Sequence, residues 1–227
     1  MTAKNQPPAT ARSGDAKRRA RRVYRKLEKT YPQARCALDH RDAYELLVAT
    51  ILSAQCTDER VNMTTPALFE QYPDPQALAK SKQPDIEKLI RSCGFYRNKA
   101  RAIRGAARAI VDEHGGAVPQ TMDELLALPG VARKTANVVL GNAFDKAEGV
   151  VVDTHVKRLS YRLGFTEQTT PDKIERDLMG LFDRRRWTML SHLLIWHGRA
   201  ICKARKPACG ECPVLKDCPR HGVDQPG

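Results

Sequence analysis

Long apolar runs are what this 227-residue chain has least of. Its longest apolar stretch, Leu46 to Ala54, falls far short of the roughly 20 residues a helical membrane span needs, so no membrane role is expected. The opening residues, Met1-Thr-Ala-Lys-Asn-Gln-Pro-Pro, hold no apolar leader core, and nothing there marks secretion. A cytoplasmic protein is expected. Aromatic residues make up only 6% of the chain. Strand-like sequence is confined to Val150-Val151-Val152, too short to build a sheet, and no internal repeat of fixed period is present.

What is there instead is helical spacing. Ala43, Leu46, Leu47, Thr50, Ile51 and Ala54 mark one apolar face, Ile103, Ala106, Ala107, Ile110 and Val111 a second, and Ile174, Leu178, Leu181 and Phe182 a third. Gly94, Gly115-Gly116, Gly130 and Gly164 fall where these helices should stop. The expected fold class is all-α. Residues 1–14 have no large apolar side chain and read as a disordered tail.

Negative charge is also in short supply. Lys and Arg number 39 against 26 Asp and Glu, a net charge of +13, which favours a polyanionic partner. Eight basic residues lie between Lys17 and Lys29, Arg184-Arg185-Arg186 form a run, and Arg199, Lys203, Arg205 and Lys206 surround Cys202. Each patch alone is compatible with a solvated face. Three on one chain point to nucleic acid over an anionic membrane, because none is paired with bulky apolar anchors.

Of seven cysteines, Cys36, Cys56 and Cys93 are scattered among apolar neighbours and read as small buried side chains. The other four follow the spacing Cys202-x6-Cys209-x2-Cys212-x5-Cys218 in a segment too polar for a core. Without a secretory signal a disulfide framework is disfavoured. Structural zinc usually takes two Cys-x2-Cys pairs or adds histidine. One pair flanked by two single cysteines favours a [4Fe–4S] cluster held by one looping chain.

Thr121 with Glu124 forms a capping box that starts a short helix. Pro129-Gly130 breaks it, and Val131-Ala132-Arg133-Lys134-Thr135 opens a second helix. A turn between two helices leaves free N–H groups at the second helix's start, where they bind a DNA phosphate without reading sequence. Lys134 is then either a phosphate-holding surface lysine or a nucleophilic amine, which must be neutral to attack. Asp153, between Val150-Val151-Val152 and Thr154-His155, is first of all a good N-cap. The competing reading is a carboxylate placed to stabilise positive charge on a sugar. His155 reads as structural.

The string Leu128 to Val139, the Val152-Asp153-Thr154-His155 motif and the four-cysteine loop, in that order and spacing, resemble the endonuclease III family from about residue 20 to Cys218. Those enzymes are helix–hairpin–helix DNA glycosylases that remove oxidised pyrimidines and then nick the strand. The resemblance implies a helical bundle at residues 37–147 carrying the hairpin, and a second helical domain of residues 15–36 and 148–227 holding the cluster. It implies Lys134 as the Schiff-base lysine, Asp153 as the catalytic aspartate, and Cys202, Cys209, Cys212 and Cys218 as [4Fe–4S] ligands. Gln55 would fill the gap left by a flipped base, and Phe95 would wedge into the stack. Leu128, Gly130, Ala132 and Arg133 of the hairpin, with Lys206 near the cluster, would meet the backbone. The expected partner is duplex DNA with damaged bases or abasic sites, bound by a nucleoid-associated monomer.

Three departures from the family pattern stand out: Ala132 replaces a second hairpin glycine, Phe95 replaces an aliphatic wedge, and the basic segment before residue 20 is extra. A non-catalytic DNA-binding or redox module is a rival, opposed by the presence of both Lys134 and Asp153. A lyase-deficient adenine glycosylase is another. That branch typically lacks the hairpin lysine and carries a catalytic Glu within the stretch matching Leu47–Cys56, where this chain has none.

Overall fold

The computed structural model describes residues 9–223, with side chains from Gly14 onward. Eleven α-helices and four short 3-10 turns, and no β-strand, are found among the described residues. The chain divides into two compact units: Cys36–Glu148, and a discontinuous one of Met1–Arg35 with Gly149–Gly227. Each has its own apolar core.

The first unit contains α2 (Ala43–Leu52), α3 (Asp58–Gln71), α4 (Pro75–Lys80), α5 (Gln83–Leu89), α6 (Tyr96–His114), α7 (Met122–Ala127) and α8 (Arg133–Ala143). Helix α2 is buried all round from Tyr44 to Leu52. It is the central rod of the bundle, a role a single-faced amphipathic pattern does not reveal. Its buried Glu45 is held by Arg41, whose backbone N–H and guanidinium both donate to the carboxylate. Caps set the helix starts: Asp42, Thr57, Asp74 and Thr121 each accept a backbone N–H from the first turn that follows. Helix α6 ends at Gly115, whose φ of 62° needs no strain in a glycine.

The second unit contains α1 (Ala9–Thr30), α9 (Thr154–Arg162), α10 (Pro171–Leu181) and α11 (Trp187–Ala200). Val150, Val151 and Val152 are buried but form no strand; Ser191 Oγ accepts the Val151 N–H at 3.0 Å in place of a ladder. The disordered tail is corrected at its inner end. Residues 9–14 are the first turns of α1, where Ala9 and Ala11 are strong helix formers, while residues 1–8 lie outside the described residues. The basic stretch that follows is also less free than its composition suggests. Arg19 donates to the carbonyls of Leu163 and Gly164, and Arg22 and Lys26 both grip Asp217 at 2.8 Å.

Candidate functional site

Half of the expected capping box forms: Thr121 Oγ1 accepts the Glu124 N–H, while the Glu124 carboxylate accepts the Thr121 hydroxyl rather than its backbone N–H. Leu128 and Val131 are buried and bracket the turn like pegs, and the Leu128 carbonyl accepts the Val131 N–H at 3.1 Å. Leu128 thus anchors the hairpin, with both its side chain and its carbonyl turned to the protein. Gly130 has φ 78°, and a Cβ there would lie 2.6 Å from Ala102 Cβ on α6. The turn therefore packs directly onto a rigid helix. Ala132 caps α8 with no side-chain acceptor, so the first amides of α8 and its positive dipole end are not claimed by a cap. Arg133 and Lys134 are exposed on that first turn.

Two further segments carry strained, exposed residues. Gln55, just after α2, has φ 52°, and Phe95, just before α6, has φ 45°. Left-handed backbone at a non-glycine residue is uncommon and clusters at functional sites. Phe95 is 65% exposed. Of the scattered cysteines only Cys93 is buried. Cys36 and Cys56 are half-buried.

Asp153 caps α9, its Oδ1 accepting the Val156 N–H at 2.8 Å. Asp153 is half-buried, and the cap uses only one of its two carboxylate oxygens. His155 Nδ1 lies 3.2 Å from Arg158 Nη2, which fits its structural reading.

The four C-terminal thiols line one cavity, walled by apolar groups that include Leu159, Leu163 and Val214. Among the described residues no three His, Cys, Asp or Glu side chains converge tightly enough for a single metal ion. Four thiols on the lining of one cavity are the donor set that a [4Fe–4S] cluster takes. Burial pushes the Cys212 thiol up to about 11 and raises that of Cys218 as well, so loading must displace protons. Nitrogens face the sulfurs: the Arg162 guanidinium Nη1 lies 3.4 Å from Cys202 Sγ, and Nε2 of the buried His197 imidazole lies 3.4 Å from Cys212 Sγ. A thiolate-ligated cluster is anionic, so the donor set fits. Once bound, the cluster cross-links four points of a loop that otherwise has only two 3-10 turns, Cys209–Glu211 and Leu215–Asp217.

Sequence reasoning missed the residues that hold this loop. Arg158 donates to the carbonyls of Gly198 and Cys202, and Arg162 to those of Lys203 and Ala204. His197, 1% exposed, is braced by the Tyr31 hydroxyl 2.9 Å from its Nδ1. The one available signal was two arginines at i and i+4 on α9, beside the buried Val156 and Leu159. The loop presents Lys203, Arg205 and Lys206 outward, with Lys206 at φ 47°.

A glycine-tight hairpin opening a basic helix, an aspartate-capped helix and a four-thiol loop together define a class: base-excision DNA-repair proteins of the helix–hairpin–helix type. The family model for HhH-GPD superfamily base excision DNA repair proteins matches residues 48–184, and that for the iron–sulfur binding domain of endonuclease III matches residues 202–218. An endonuclease III from Synechocystis sp. is 60% identical over 203 residues, covering 89% of this chain and 93% of the relative; one from Bacillus subtilis is 43% identical over 194 residues, covering 85% and 88%. A solved covalent intermediate of endonuclease III trapped on DNA superimposes with a TM-score of 0.85 at 43% identity, covering 90% of this chain and 96% of that one. The chain belongs to the endonuclease III family. It is a DNA glycosylase with abasic-site lyase activity, carrying a [4Fe–4S] cluster.

Proposed function

We propose that the protein excises oxidised pyrimidines from duplex DNA as a monomer, with Lys134 as nucleophile and Asp153 as the charged partner. The supporting observation is the placement of Lys134: exposed, on the first turn of α8, directly after a hairpin locked onto α6 by Gly130. That turn offers uncapped amides to one phosphate while the lysine stands within the same turn. In this reading the neutral amine attacks the sugar C1′, the C1′–N bond breaks, and the base leaves with a proton. The C1′–O4′ bond then opens, with O4′ taking a proton, and the resulting iminium makes the C2′ proton acidic; its removal expels the 3′ phosphate by β-elimination. Asp153 Oδ1 is committed to capping α9, so Oδ2 is the oxygen assigned to stabilise the cationic sugar. Phe95 and Gln55 occupy the space vacated by the flipped nucleotide, offsetting an unstacking cost of a few kcal/mol. Arg133 and Lys206 each hold a phosphate.

Oligonucleotides carrying thymine glycol, an abasic site, 8-oxoguanine or uracil test this directly. Thymine glycol and the abasic site should be cut, and borohydride should trap a covalent complex on both. Lys134→Gln should lose the trapped complex on every substrate. Trapping that survives in that variant would move the nucleophile elsewhere, and preferred cutting of 8-oxoguanine or uracil would overturn the lesion assignment.

A further inference from the structure

His197, in the last turn of α11, lines the same cavity as the four thiols and is 1% exposed. It reaches two of the four cysteines through different atoms. Its backbone carbonyl accepts the Cys202 N–H at 2.8 Å, and its Nε2 lies 3.4 Å from Cys212 Sγ. The other ring nitrogen, Nδ1, lies 2.9 Å from the hydroxyl of the buried Tyr31. Tyr31 is held in turn at the end of α1, where its N–H donates to the Leu27 carbonyl at 2.8 Å. The three side chains thus form one hydrogen-bonded line from Tyr31 through His197 to Cys212. The partners of the two ring nitrogens are a hydroxyl and a sulfur, neither of them a carboxylate, and burial disfavours the charged ring. A neutral imidazole has one N–H and one acceptor nitrogen, whereas a tyrosine hydroxyl can give or take. A cysteine that binds metal is a thiolate and only accepts. With Cys212 as the acceptor, the ring proton must sit on Nε2, and Nδ1 must receive the Tyr31 O–H.

We propose that Tyr31 fixes His197 as the Nε2–H tautomer, whose N–H donates to the Cys212 thiolate and raises the reduction potential of the cluster; this rests on Cys212 being a cluster ligand. An N–H dipole aimed at a ligand sulfur stabilises the state with more negative charge, which is the reduced one. The cavity wall includes Leu159, Leu163 and Val214, and apolar surroundings strengthen such a bond. Arg162 at Cys202 is a donor that no tautomer can change. The bond from His197 exists in only one of two tautomers, so it needs a partner on the far side of the ring to select it. Without the Tyr31 hydroxyl the ring proton is free to move to Nδ1, and the Nε2 lone pair would then face the sulfur. Tyr31 is therefore a positioning residue that acts on Cys212 through His197.

The test uses the full chain with its cluster loaded. Iron and sulfide are counted first, then the reduction potential is measured by voltammetry, and the Fe–S stretching bands are recorded by resonance Raman in H2O and after exchange into D2O. His197→Phe keeps a ring but has no donor. It should move the equilibrium about tenfold toward the oxidised form, a potential lower by about 59 mV for one electron. His197→Gln, whose amide can still donate, should recover part of that loss. Tyr31→Phe should lower the potential by less, and should change nothing further when added to His197→Phe, because its effect passes through the ring. Exchange into D2O should shift an Fe–S band of the unaltered protein, and part of that shift should be missing in His197→Phe. Equal potentials in the unaltered protein and His197→Phe would overturn the proposal, as would a Tyr31→Phe effect that persists without the imidazole. If His197→Phe does not fold, Tyr31→Phe and the deuterium shift of the unaltered protein decide: an unchanged potential in the first, or no shift in the second, overturns it. An unaltered protein without iron and sulfide would overturn the ligand assignment and the proposal with it, a result distinct from any unchanged potential.

Discussion

At the scale of single residues, capping and catalysis are assigned to one side chain, and they separate by substitution. Asn caps a helix about as well as Asp, so Asp153→Asn should keep α9 and DNA binding while slowing base excision. Asp153→Ala removes the acceptor for the Val156 N–H as well, and should cost about 1 kcal/mol of stability. Urea titration beside single-turnover kinetics distinguishes the two. Equal stability loss in both variants would mean that the charge, rather than the hydrogen bond, holds the helix start. Motif order and spacing single out Lys134 and Asp153 as candidates. Tyr31 and His197 were not legible: they lie 166 positions apart, and no local pattern signals that a hydroxyl on one helix will meet an imidazole on another.

At the scale of the element, the hairpin depends on one glycine. Ala at position 130 would need φ near 78° and would meet Ala102 Cβ at 2.6 Å. Gly130→Ala should therefore destabilise the protein by about 1–3 kcal/mol and weaken binding to an abasic-site analogue. Combining it with Ala102→Gly removes the clash but leaves the backbone strain. The double variant should be less destabilised than the sum of its parts, despite roughly 1 kcal/mol for glycine inside a helix. Strict additivity would show that the turn's conformation alone matters. The Thr121 cap, the Pro-Gly turn and the glycine stop at Gly115 were readable, since each is a local rule. The all-round burial of α2 was not, because its sequence shows an apolar face without showing that other helices cover the rest.

At the scale of the whole molecule, buried groups set the response to acid. Burial lowers His192 and His197 to about 4 from an ordinary 6.5. Unfolding restores their proton affinity, so the unfolded chain binds more protons between those values. Stability should thus be level above about pH 6.5 and fall on acidification towards pH 4, by up to about 1.4 kcal/mol per pH unit for each histidine. Asp217 acts with the same sign: burial works to raise its carboxyl, but the hydrogen bonds and charges of Lys26 and Arg22 prevail and lower it. Its contribution is present above the ordinary carboxylate range and is lost as pH falls through the depressed value. Denaturation midpoints measured from pH 7.5 to 4.5 check this, and His192→Gln should flatten part of the slope. An unchanged slope in that variant would show that His192 is not among the groups responsible.

Sequence by itself determined the all-α class, the hairpin, the cluster loop and the family, because each rests on local rules: helical period, cap chemistry, the steric freedom of glycine, and thiol spacing along one short loop. Tertiary structure decided which charges are free and which are used. Of the basic run from Lys17 to Lys29, Arg19, Arg22 and Lys26 bind the cluster domain's own carbonyls and Asp217, and Arg186 lies over the Tyr24 ring at 4.8 Å. Arg158 and Arg162 hold the cluster loop from α9. Composition counts such residues as positive surface, but a guanidinium is long, permanently charged and rich in donors. Whether it meets a phosphate or a carbonyl of its own chain depends on what the fold places within its reach, and that is set by helix packing across the sequence rather than by neighbours along it.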